Sequence, residues 1–203
     1  NPHRLRADFL QAAAFDIKSR DLLKSIGFRV LKEFQQVAMF NVADPRGNFL
    51  MVKKMPDGSL DTKIIDRTPE DVRVTWIRRD PNGNILNEEK SLDDSYDPRN
   101  RPWYTGAVQH RGLFWSRLYI FFTDQKPGVT GALPLIGPGD QILGVVGLDV
   151  ELTTVSTYLK TLKIGQHGQA VIIDADGRLI GHPETDKIIK KVGENYQSVY
   201  VQD

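Results

Sequence analysis

The chain is 203 residues long, with 27 lysines and arginines against 26 aspartates and glutamates, a formal charge of +1. That balance argues against a nucleic-acid or anionic-membrane binder, which would carry a basic excess or a clustered basic face, and 40% hydrophobic with 26% charged residues is globular rather than disordered composition. Cysteine is absent, which removes disulfide scaffolds, thiolate metal sites and cysteine nucleophiles.

The first residue is Asn1, with no initiator Met and no basic-then-apolar leader, so the sequence reads as a segment of something longer. The longest apolar-plus-glycine run, Ile142 to Leu148, is seven residues, well short of the roughly 20 needed to cross a bilayer. Leu5, Phe9, Ala12 and Ala13 have helical spacing. Ser19 and Asp21 are positioned to cap a second helix bearing Leu22, Leu23, Ile26, Val30 and Leu31, with Gly27 weakening its middle by about 1 kcal/mol relative to Ala.

Beyond Gln36 the texture turns to strands. Val37 to Val42 is a short apolar run ending in Asp44-Pro45-Arg46-Gly47, where Pro presets φ and Gly supplies a positive φ; Phe49 to Val52 then completes a hairpin. Val72, Val74 and Trp76 alternate with Arg73, Thr75 and Ile77 before Asp80-Pro81-Asn82-Gly83, and Ala170 to Ile173 leads to Asp174-Ala175-Asp176-Gly177. The first and last of these hairpins look like one unit used twice, or simply like two hairpins. Between them, Leu152, Val155, Leu159 and Leu162 mark a helix face over 151–162. The roughly 40 residues that follow are too few for an independent core.

Chemistry concentrates in Tyr96-Asp97-Pro98-Arg99-Asn100-Arg101-Pro102-Trp103-Tyr104. Its two prolines predict a rigid loop outside helix and sheet. Arg101 offers a planar fork matched to a carboxylate, Trp103 an N–H beside a large apolar face, and Tyr96 and Tyr104 hydroxyls that donate or accept. Together they can clamp a small carboxylate; equally, Arg101 can stack on Trp103 or pair with Asp97 merely to brace the loop. Asp149 ends an apolar strand, so its carboxylate needs a ligand cation or, as a helix cap, backbone N–H groups.

The run YDPRNRPWY, then Trp115, Tyr119, Pro134, the strand Ile142 to Asp149, and Ile164-Gly165-Gln166-His167-Gly168 through Asp174, Gly177 and His182-Pro183 resemble a double Cache sensor domain over about residues 30 to 190. The resemblance implies an α+β fold: an N-terminal helical segment (1–32), a membrane-distal PAS-like antiparallel-sheet module that binds ligand (33–150), a linking helix (151–162) and an incomplete membrane-proximal module (163–203). It further implies a periplasmic or extracellular location between transmembrane helices, a homodimeric receptor and a cytoplasmic output, with a nucleotide cyclase favoured over a histidine kinase. Carried onto this chain, Arg101 and Trp103 take a carboxylate, Tyr96 and Tyr104 wall the pocket, Tyr119 lines it and Asp149 meets an ammonium. One departure stands out: two residues after Tyr119, where amino-acid binders can carry a second acid, this chain has Phe121. An amino acid, an amine or an organic acid is then the expected ligand, with no cofactor.

Other signals are weaker. His3, His110, His167 and His182 show no metal-ligand spacing, so no metal is expected. Gly137 to Gly147 lacks the pattern of a phosphate loop, Asp174 and Asp176 are turn formers, and Asp93-Asp94 with Asp97 make a poor carboxylate pair. Lys187, Lys190 and Lys191 read as a solvated helix face. The rival functions are a hydrolase using Asp149 or Asp97 with a histidine, and a protein-interaction module presenting the aromatic loop.

Overall fold

The computed structural model describes residues 17–92, 95–166, 168–192 and 195–199. They form two compact bodies: one holds the described residues up to Ser116 with Thr130–Asp149, the other Arg117–Val129 and the described residues from Val150. The α+β class is as the sequence implies: a helix followed by an antiparallel sheet.

In the first body helix α1 (Ile17–Glu33) precedes five strands joined as successive hairpins, β1 (Met39–Ala43), β2 (Phe49–Lys54), β3 (Leu60–Arg67), β4 (Val72–Arg79) and β5 (Ile85–Ser91). After helix α2 (Pro102–His110) come β6 (Phe114–Trp115), β7 (Tyr119–Ile120), β8 (Pro127–Ile136) and β9 (Ile142–Glu151). The sheet order is β5-β4-β3-β2-β1-β9-β8-β6, which makes β9 the neighbour of β1. One face is the core: Leu23 and Leu31 of α1 pack with Phe40, Val42, Leu50, Val52 and Leu60, all buried, as strand alternation requires. A Cβ on Gly27 would lie 2.8 Å from both Phe40 and Val52, so this glycine sets how closely helix and sheet approach.

α1 already runs through Asp21, which bridges to Lys24 instead of capping a helix start, and Leu22 is exposed. The expected helix at Leu5 to Phe15 lies outside the described residues. The run 96–104 is not wholly irregular: Pro98–Asn100 forms a 3-10 turn and α2 begins at Pro102. Proline is tolerated at the first helical position because its missing N–H would have no partner there. Strand β3 is not foreshadowed by any apolar run, because Asp61, Lys63 and Asp66 interrupt it.

In the second body β7 pairs with the start of β8, Tyr119 opposite Gly128. Helix α3 (Leu152–Thr161) buries Leu152, Ser156 and Leu159, and two hairpins follow: β10 (Ile172–Ile173) with β11 (Leu179–Gly181), and β12 (Ile189–Val192) with β13 (Asn195–Ser198). Lys187, Lys190 and Lys191 therefore sit on a short 3-10 turn and a strand rather than on a helix; β-branched Ile189 and Val192, which flank the last two, favour the pleated form.

Three hairpin corners share one construction. In 44–48, 80–84 and 174–178 the first Asp N–H donates to the carbonyl of the fifth residue, the Gly N–H donates to the Asp carbonyl, and the Asp side chain accepts the fifth residue's N–H. Gly47, Gly83 and Gly177 have φ of 88°, 92° and 82°, the left-handed bulge position of a three-residue hairpin loop.

Candidate functional site

The face of the sheet opposite α1 is polar in its middle. Ladder pairing places Gly147, Asn41, Met51, Lys63 and Trp76 side by side across β9, β1, β2, β3 and β4. Above this row lies the 96–104 run. Trp103, 1% exposed, packs on Gly147, where a Cβ would stand 3.1 Å from its ring and 3.1 Å from Thr130. Tyr96 meets Phe49 at 4.9 Å between ring centroids and stands 5.4 Å from the Lys63 ammonium. The Trp76 ring lies 5.5 Å from the same ammonium.

Asp149 is 4% exposed and sits two residues along from Gly147 on the same face of β9. Asn41 Nδ2 donates to one carboxylate oxygen at 2.9 Å and Thr130 Oγ1 to the other at 2.6 Å. The helix-cap alternative is not what the structure shows: the residue preceding α3 is Glu151. Asp149 is instead a buried carboxylate fixed by a neighbouring amide and hydroxyl, on the face roofed by Trp103.

Arg101 closes the 3-10 turn and immediately precedes α2: its N–H donates to the Pro98 carbonyl, and its own carbonyl accepts from Tyr104 and Thr105, each at 3.0 Å. Its side chain is part-exposed, two residues from Trp103. Asp97 belongs to Arg99, whose backbone N–H and guanidinium both donate to it, the latter as close as 2.6 Å. That pairing holds the Asp97 carboxyl below the ordinary carboxylate range. Tyr104 is buried edge-to-face against Trp103 at 5.7 Å. Burial, helped by nearby Asp44 and opposed by Arg99, pushes its phenol up to about 12.

The first body thus holds Tyr96, Arg101, Trp103, Tyr104 and Asp149, while Tyr119 belongs to the second, where it meets buried Phe121 edge-to-face at 5.3 Å. A Cβ on Gly128 would collide with that Phe121 ring, so the residue standing where an acid was sought is packed as core. Lys63 was not identifiable from the sequence: its strand carries no apolar periodicity, and only the charge inside LDTKIIDR hints at it. A separate cleft of about 730 Å³ opens on the Arg99 side of the loop, lined by Arg46, Arg67, Thr68, Glu70, Asp71 and Arg99, and none of the six expected residues lines it. Arg46 and Arg99 there pair with Asp44 and Asp97. Among the described residues no cluster of His, Asp or Glu could hold a metal ion, and no helix is long and apolar enough to cross a membrane.

Residues 18–202 match the model of the Cache domain family, and the chain belongs to that family. The methyl-accepting chemotaxis protein PscA of Pseudomonas syringae pv. tomato is 34% identical over 101 residues, covering 50% of this chain and 16% of that protein. Adenylate cyclase 1 of Rhizobium meliloti is 30% identical over 141 residues, 70% of this chain and 19% of that protein. The chain thus spans less than a fifth of the length of either relative. Among solved structures, the ligand-binding domain of the Pseudomonas aeruginosa PAO1 amino acid chemoreceptor PctB in complex with L-Gln has the same fold, with a TM-score of 0.57 at 22% identity over 92% of this chain and 62% of that one. As a Cache sensor domain, the chain is an extracytoplasmic portion of a membrane signalling protein.

Proposed function

We propose that the first body is the ligand-binding module of the sensor and that its ligand is a small amino acid held between the 96–104 run and the sheet. The observation that carries this reading is Asp149, a buried carboxylate fixed by Asn41 and Thr130 beneath Trp103. An anion so desolvated favours a cationic partner, and a ligand ammonium is one. Arg101 then takes the α-carboxylate as a two-pronged donor, with Trp103 and the two tyrosines excluding water. That solved relatives of the same fold hold L-Gln and L-Arg supports the ligand class; Phe121 in place of an acid argues that ammonium recognition rests on Asp149.

In this reading the first body is distal from the membrane and α3 leads toward the proximal module. The intact protein is a homodimer with flanking transmembrane helices. The output is a nucleotide cyclase, supported by the cyclase relative's match to 70% of this chain; a chemoreceptor-type output, as in PscA, is the rival. Ligand would bias the receptor by the difference of its affinities for two arrangements.

A melting screen over the amino acids, amines and short organic acids tests the ligand class. Ligand at about 100 times its dissociation constant adds roughly 2.7 kcal/mol, or on the order of 5 to 10 °C for a domain of this size. Arg101→Ala should abolish the shift while leaving the unliganded melting temperature within about 2 °C; an unchanged shift removes the carboxylate clamp.

A further inference from the structure

We propose that the cleft on the Arg99 side of the loop is a second binding site, and that its ligand is a tetrahedral oxyanion of the phosphate class. The cleft, about 730 Å³, gathers guanidinium groups from three elements: Arg46 in the β1–β2 corner, Arg67 at the end of β3 and Arg99 in the 3-10 turn. Two of them hold carboxylates of their own, Arg46 with Asp44 at 3.0 Å and Arg99 with Asp97 at 2.6 Å. Arg67 does not. Among the described residues no acid stands within ion-pair distance of it, and its guanidinium makes one bond, from Nη2 to the Tyr96 carbonyl at 3.1 Å. Its Nε is buried without a partner, which leaves Nη1 as the donor for the cleft.

These groups converge beside Gly47. A Cβ there would lie 3.0 Å from the Nε of Arg67 and 3.0 Å from that of Arg99. The two nitrogens are therefore within about 6 Å of each other, where like charges oppose one another. Asp97 lies near enough to both cations to be held in its charged form by each. Three guanidinium groups thus share two carboxylates, Asp44 and Asp97, and an anion in the cleft makes up the deficit. Two further acids line it. Asp71 is taken by the Arg73 guanidinium at 2.9 Å, and Glu70 is exposed, a competing charge at the rim. A carboxylate has two oxygens and saturates one guanidinium fork, whereas a tetrahedral oxyanion presents enough oxygens to meet three forks at once. None of the residues proposed to hold the amino acid lines this cleft, so the two sites stand or fall separately.

Calorimetric titration of the whole chain with inorganic phosphate at fixed ionic strength tests the proposal, with sulfate, glycerol 3-phosphate and acetate in parallel. Phosphate should bind one to one, and acetate at least tenfold more weakly. Arg67→Gln should weaken phosphate at least tenfold. Arg46→Gln, at a side chain 69% exposed and so without a folding burden, should weaken it at least threefold. Glu70→Gln should tighten it, a change of opposite sign that a damaged fold would not produce. Arg101→Ala should leave it unaltered. Tighter binding of glycerol 3-phosphate than of phosphate and sulfate assigns the site to the head of an organic ligand, and equal binding assigns it to the free ion. Absence of saturation at millimolar phosphate overturns the site, as does a loss in Arg29→Gln, an exposed arginine of α1, equal to that in Arg46→Gln. Acetate binding as tightly as phosphate overturns the ligand class.

Discussion

Tyr104 links its chemistry to the fold through a proton. Its phenol ordinarily titrates near 10, and in the folded chain burial and Asp44 raise it to about 12. A raised value means the native state keeps the proton that the unfolded chain gives up, so the stabilisation is complete below pH 10 and drains away as pH climbs toward 12. Two pH units correspond to about 2 to 3 kcal/mol. Unfolding free energies from denaturant titrations at pH 9 and pH 11.5 should therefore differ by about 2 kcal/mol in the wild type, most but not all of that amount because pH 11.5 is still below the folded value, and by much less in Tyr104→Phe; equal losses in both would place the effect elsewhere. The same scale shows why some residues could be named from sequence and others not. Trp103 and Arg101 stand in a run dense with rings, guanidinium groups and prolines, which is visible locally. The partners of Asp149 are Asn41, 108 residues away, and Thr130, 19 residues away, and no local pattern announces either.

At the scale of the element, Gly27 sets two effects against each other. Alanine there would gain about 1 kcal/mol of helix propensity. Its Cβ would also press to 2.8 Å on Phe40 and Val52, two stiff and fully buried side chains, and overpacking of this kind costs about 1 to 3 kcal/mol. Gly27→Ala should therefore lower stability by about 1 kcal/mol in chemical denaturation, the middle of the net range, against the propensity scale. A glycine that reads as a weakness in the helix is thus the point of closest approach to the sheet. The hairpins were legible because Asp, Pro and Gly punctuate alternating strands. β3 was not, because its charges are satisfied by tertiary partners: Asp61 by Arg78, Asp66 by Arg20. Helix α2 was hidden by Pro102, whose usual meaning as a breaker reverses at a helix start.

For the molecule as a whole, stability is not evenly shared. The first body owns the long antiparallel ladder and most of the fully buried side chains, among them Phe40, Leu50, Val52 and Trp103. The second is built on α3 and two-stranded hairpins, with Val171, Ile172 and Ile173 exposed. Two-stranded units are marginal in isolation, and regions with few buried contacts open locally. Native-state hydrogen exchange should find the amides of β1 and β2 protected to the full unfolding free energy, and those of β10 and β11 exchanging at least a hundredfold faster; uniform protection would show a single cooperative unit. Near-neutral charge and absent cysteine bound the class from composition alone, but the division into these two bodies depends on contacts between distant stretches, such as β1 with β9, that composition does not encode.

The shared corner at 44–48, 80–84 and 174–178 has a practical corollary for anyone wishing to attach a reporter. Gly47 is wedged by the Arg67 and Arg99 side chains, each 3.0 Å from where a Cβ would be, whereas around Gly83 and Gly177 nothing stands within 4 Å. Identical backbone geometry thus yields one locked hinge-pin and two open sockets. A fluorophore or spin probe belongs at Asn82 or Ala175, where it can be carried without disturbing strand alignment, and not at Arg46, which pairs with Asp44 and adjoins the wedged Gly47.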